Sequence, residues 1–145
     1  ELKKFFKDYV YNFDMNDKWS KVIIERAYKL REDYIESMKN FRQFEAIGGI
    51  MKYCALLNEY IANKEPWKMI KEREKENEVK LILSNIAEGL KWVAILAYPF
   101  IPNVSNKMND SLYHLEKFEI PKLFNRECLH VTNNSILFNR IEYKK

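Results

Sequence analysis

Two cysteines, two histidines and three glycines are all that these 145 residues offer of the side chains on which most metal, thiol and phosphate-loop chemistry is built. Cys54 and Cys128 lie far apart, without the CxxC or His-rich spacing of a zinc site, and read as reduced thiols of a cytosolic protein. Gly48 and Gly49 fall inside an apolar helical stripe, with no strand before them and no Lys-Ser or Lys-Thr after, so they form no phosphate loop. The pair reads instead as a place where a neighbouring helix approaches closely. His114 and His130 stand alone, and paired carboxylates occur only inside solvated charge runs. No apolar run reaches the roughly 20 residues that span a bilayer, and the opening Glu1-Leu2-Lys3-Lys4 is not a signal peptide. The sequons at Asn103, Asn109 and Asn133 then read as chance in an Asn-rich chain. With no nucleophile, metal set or nucleotide loop, the residues point to a binding module rather than a reaction centre. No cofactor is expected.

What is present is a globular composition, 47% apolar and 32% charged, of the size of one domain. The net charge of +4 helps to hold a polyanion without requiring one. Apolar residues at three- and four-residue steps predict an all-α fold, an antiparallel bundle of four to five helices with an irregular C-terminal tail. Leu2, Phe5, Phe6, Tyr9, Val10 and Phe13 mark a first helix already under way at Glu1. Asp17 caps a second helix that runs to about Asn40 on Trp19, Ile23, Ala27, Leu30, Tyr34 and Met38. A third places Phe44, Ile47, Met51, Cys54, Asn58 and Ile61 on one line and ends just before Pro66. The run 71–76 alternates charge and reads as a solvated helix end or turn. A long apolar helix then follows Val79, Ile82, Ile86, Leu90, Val93 and Ala97 until Pro99 and Pro102 stop it. A shorter one begins near Pro102, on Val104, Met108, Leu112 and Leu115. The bundle is assigned to residues 1–117 and the tail, which pairs as a short ribbon or lies along the bundle, to 118–145.

Two residues resist a purely structural account. Asn58 sits on an otherwise apolar line, where an unpaired amide costs about 1–3 kcal/mol, so it either satisfies loose backbone groups or recognises a ligand. Trp67, at the elbow created by Pro66, either plugs the end of the bundle or lies exposed as a stacking surface, and stacking one unpaired base is worth about 1–3 kcal/mol. Lys64, Lys68 and Lys71 flank it and supply charge for a phosphate backbone. Aromatic, basic and amide groups together are the combination that recognises single-stranded RNA.

Four segments, in order, carry a family resemblance: Leu57-Asn58-Glu59-Tyr60-Ile61, Glu65-Pro66-Trp67-Lys68, Tyr98-Pro99-Phe100-Ile101-Pro102 and Leu137-Phe138-Asn139-Arg140-Ile141-Glu142. With them the chain resembles the C-terminal helical-bundle, anticodon-binding domain of methionyl-tRNA synthetases, class I enzymes, over nearly its whole length. Asn139 stands where the terminal motif commonly has Pro. The resemblance implies that Trp67 stacks on the first anticodon base, that Pro66 shapes the pocket, and that Asn58, on the same face, contacts the base or braces the pocket. It also implies that an Asn and an Arg of the first helix, which read the methionine anticodon in the family, would precede Glu1. The chain is then expected to be cut inside that helix, with Lys3, Lys4 and Lys7 near the cut and able to touch phosphates. The implied parent reaction is ATP-dependent charging of tRNA with methionine, ATP and methionine being bound by a catalytic domain that this chain lacks. Lys68-Met69-Ile70-Lys71 is not that domain's lysine-rich loop. The implied partners are tRNA and the N-terminal catalytic domain, in the cytoplasm and away from any membrane. The rival readings are the same domain of an isoleucine, valine or leucine enzyme, and a structural or protein-interaction bundle with Trp67 buried.

Overall fold

The side-chain carboxylate of Asp17 accepts the backbone N–H of Ser20 at 2.8 Å, and helix α1 (Lys18–Lys39) begins there. A computed structural model describes residues 9–10, 16–112 and 128–129 of the chain, with side chains for 16–111. Helix α1 ends in a Schellman motif: the N–H of Arg42 bonds the carbonyl of Ser37 at 2.8 Å, and that of Phe41 bonds Met38 at 3.2 Å. Phe41 takes the left-handed position usual for Gly, at φ 58°. Helix α2 (Gln43–Lys64) then runs back along α1 and stops at Glu65, also left-handed, at φ 46°. A residue before proline is disfavoured in the right-handed helical region, so Glu65 leaves it and the chain turns. Pro66 opens the single-turn helix α3 (Pro66–Met69), and after one 3-10 turn at Arg73–Lys75 comes α4 (Glu76–Ala97). Pro99 lies beyond its end, and Pro102 starts α5 (Pro102–Leu112).

Three helices of 22 residues, a shorter one and a single turn form the all-α bundle that the periodicity predicts. Helix α4 is its centre, since from Ala87 to Ala97 only Leu90 is less than buried. It packs on α1, α2, α3 and α5. Trp92 is 1% exposed, and its indole N–H donates to the carbonyl of Ala27 on α1 at 3.1 Å. Tyr53 on α2 likewise donates to the carbonyl of Ile23 at 3.2 Å. Both tyrosine and tryptophan thus bury a large apolar body and satisfy a polar tip on a backbone carbonyl.

Three expectations are corrected. The core face of α2 is Ala46, Ile50, Tyr53, Leu57 and Tyr60, not the line through Asn58. Phe44 is 90% and Met51 67% exposed, and Asn58 is exposed as well. Helix α2 carries two apolar faces, and the one whose tyrosines meet carbonyl and amide partners is the buried one. Second, only Gly49 of the glycine pair faces a neighbour, with Leu30 3.1 Å from where its Cβ would be, whereas Gly48 faces open space. The expected close approach thus holds at Gly49 alone, and a tighter one is made by Gly89 on α4. Third, Tyr9–Val10 is extended, not helical: it forms β1, antiparallel to β2 (Cys128–Leu129), with Tyr9 opposite Leu129 and Val10 opposite Cys128. The ribbon foreseen for the tail thus has its partner strand near the N-terminus. The rest of the first helix, the 117/118 boundary and the terminal Leu-Phe-Asn-Arg-Ile-Glu motif lie outside the described residues.

Candidate functional site

Around the elbow, Pro66 and Met69 point inward and the two residues between them outward. Pro66 is buried and Met69 packs against the core, which seats α3 on α4. Trp67 and Lys68 face solvent, and the indole is 52% exposed. The ring is therefore a surface and not a plug. Because α2 stops at Glu65 and the chain turns there, Trp67 projects from the single turn that follows the bend.

The three lysines of this region differ. Lys68 Nζ lies 2.7 Å from Glu65 Oε1 and Lys64 Nζ 3.5 Å from Glu78 Oε1 on α4. Each has a carboxylate to hand, which offsets its field toward a phosphate. Lys71 is exposed and has no ion pair among the described residues. Lys3, Lys4 and Lys7 lie outside them. The expected solvation of the run 71–76 holds, with Lys75 and Glu72 paired at 2.8 Å and Lys80 and Glu76 at 2.7 Å. These pairs raise the pKa of Lys75 and lower that of Glu76.

Asn58, one face of α2 away from the core, has an amide with no hydrogen-bond partner among the described residues, so it bonds water or a ligand and caps nothing. Helical spacing carries its face through Ala62, also exposed, to the bend at Glu65.

A groove of about 490 Å³ runs between α1 and α2. Arg26, Lys29 and Lys52 line it, balanced by Asp33, Glu45 and Glu59, and neither Trp67 nor Asn58 reaches it. Its mixed charge suits no polyanion. Among the described residues no group of His, Cys, Asp and Glu is arranged to hold a metal, and no helix is long and apolar enough to cross a membrane. Cys54 is half buried, and burial raises its thiol pKa, so it is not an activated nucleophile.

The apolar-line argument first applied to Asn58 belongs to Asn85, which sequence reasoning passed over. Asn85 is fully buried on α4, three residues after Ile82 on the core stripe. Its Nδ2 donates to Ser20 Oγ at 2.7 Å and to the hydroxyl of Tyr60 at 3.1 Å. The signal was there to read: a short amide inside a run of apolar residues at core spacing.

Residues 15–142 match the family described as the anticodon binding domain of methionyl tRNA ligase. The chain belongs to that family. It is similar to the methionine–tRNA ligase of Caldanaerobacter subterraneus, 28% identical with 99% of this chain and 23% of that protein covered. It is likewise 28% identical to that of Borrelia garinii, over 99% of this chain and 19% of the relative, and 29% identical to that of Clostridium acetobutylicum, over 85% and 20%. The chain thus spans about a fifth of the length of these ligases.

Proposed function

We propose that this chain recognises the anticodon of methionine tRNA, as the C-terminal part of a ligase whose catalytic domain activates methionine with ATP and transfers it to the tRNA. The observation that carries the reading is Trp67, an indole half exposed at a bend and seated by a buried Pro66, in a chain of the anticodon-binding family. Trp67 stacks on an unpaired anticodon base, Pro66 fixes the height of the ring, and Asn58 offers a free amide from the face that leads to the elbow. Lys71 is the cation best able to meet phosphate, with Lys64 and Lys68 contributing once released from Glu78 and Glu65. Stacking gives binding that is tolerant of base identity, and the amide edge adds discrimination. The domain takes no cofactor of its own and works in the cytoplasm on tRNA, away from membranes.

The test is Trp67→Ala in a full-length methionine–tRNA ligase carrying this chain. Amino-acid activation, followed by pyrophosphate exchange, stays intact, and kcat/KM for tRNA charging falls about tenfold to a hundredfold, the loss of one stacked base. Unchanged charging kinetics would remove the stacking role. Replacing the methionine anticodon of the tRNA by an isoleucine or valine anticodon must also cost charging; equal use of those tRNAs would instead favour a related synthetase.

A further inference from the structure

The stacking residue sits on a bend whose base is tied into the core by a buried polar chain. Tyr60, fully buried one turn before the end of α2, accepts a hydrogen bond from Asn85 of α4 at 3.1 Å. The second proton of the same amide goes to Ser20 Oγ at 2.7 Å, and Ser20 donates in turn to Asp17 Oδ2 at 2.8 Å. The Trp19 ring closes over Tyr60 with centroids 5.3 Å apart and a tilt of 36°. One amide therefore joins the start of α1, the last turns of α2 and the third turn of α4, and the chain ends on the carboxylate that caps α1.

An apolar core would hold α2 with little preference among small rotations, whereas a buried hydrogen-bonded set is satisfied in one register only. Any slip that parts Asn85 from Tyr60 and Ser20 leaves dry polar atoms, at about 1–3 kcal/mol each. Glu65 follows Tyr60 by five residues of rigid helix, about 7.5 Å at 1.5 Å per residue, so the placement of Tyr60 is passed directly to the bend. The ion pair of Lys64 with Glu78 repeats the tie from α2 to α4 closer to the elbow, but it is partly exposed and correspondingly weak.

We propose that Asn85, through Tyr60, is a positioning residue for anticodon recognition: it sets the register of the α2 end and with it the place at which Trp67 presents its ring. This inference rests on the stacking role of Trp67 and adds the residue that sets its geometry. No contact between Asn85 and RNA is involved.

The experiment measures tRNA charging by the full-length ligase carrying this chain, with Asn85→Ala, Tyr60→Phe and the core control Ile50→Val, at a temperature where all are folded. Asn85→Ala and Tyr60→Phe raise KM for tRNA about tenfold while kcat at saturating tRNA is kept, and the core substitution Ile50→Val does not. In a Trp67→Ala background the two substitutions add no further loss, because they act through that ring. An increase in KM no larger than that of Ile50→Val, or effects that add in full to Trp67→Ala, overturns the positioning role and leaves the stacking role standing. Trp67→Ala without effect overturns the stacking role itself. Tyr60→Phe, which removes a single oxygen, carries the test should Asn85→Ala fail to fold.

Discussion

Gly89 on α4 lies so close to Leu57 on α2 that a Cβ placed on the glycine would come within 2.8 Å and 2.9 Å of the two leucine methyls, with the Tyr53 hydroxyl at 3.3 Å. This contact lets the central helix meet the one that carries the elbow. Gly89→Ala is therefore expected to destabilise by about 1–3 kcal/mol, the cost of overpacking a closed site. Gly48→Ala, with nothing within 4 Å, is expected to stabilise by about 0.5–1 kcal/mol. Urea unfolding of the two variants checks both signs.

Trp92 and Trp67 separate stability from function. Trp92→Ala empties a core position and removes the indole donor to the Ala27 carbonyl, so about 3–5 kcal/mol of stability is lost. Trp67→Ala costs less than about 1 kcal/mol, since half the ring is already in water. A thermal or urea melt that ranks them the other way would make Trp67 a structural residue.

Phe41 holds a left-handed conformation that glycine adopts without penalty, and 83% of it is exposed. Phe41→Gly relieves the strain, gives up little packing, and is expected to raise stability by about 1 kcal/mol. A lower denaturation midpoint would show that the ring contributes packing after all.

Alkaline pH should unfold the bundle through its buried tyrosines. Burial pushes the Tyr60 hydroxyl up to about 12, the carboxylates of Asp17 and Glu78 adding to this and the hydrogen bond from Asn85 opposing it. Burial raises Tyr53 further. Above pH 10 the unfolded chain releases protons that the folded one retains, so stability is whole below about 10 and falls as pH rises toward 12, by about 1.4 kcal/mol per pH unit for each such tyrosine. Tyr60→Phe removes its share of that slope. A pH-independent stability from 9 to 12 would contradict the burial of both hydroxyls.

Recognition of the elbow from the sequence depended on Pro66 and Trp67, and both behave as local chemistry requires: one is seated, the other presented. Asn58 was singled out for a reason that proved mistaken, a core position, yet its exposure leaves it better placed for a ligand than burial would have. Lys64 and Lys68 read as free cations in one dimension because their partners differ in kind. Glu65 is a near neighbour of Lys68, but Glu78 reaches Lys64 only once α4 has folded back.

Helix limits were legible because they are set within a few residues. Asp17 caps its own helix, Pro66 excludes the right-handed region at Glu65, and Pro102 begins the next turn, whatever lies elsewhere in the chain. Which face of α2 would be buried was not, since Phe44, Ile47, Met51 and Ile61 on one side compete with Ala46, Ile50, Leu57 and two tyrosines on the other. Counting apolar residues does not decide between them. Folding chose the second because Tyr53 and Tyr60 find the Ile23 carbonyl and the Asn85 amide, 30 and 25 residues away, and burying a tyrosine hydroxyl costs least where such a partner arrives. Pairing at that separation exists only after the helices have met, so the tertiary structure alone decided the face.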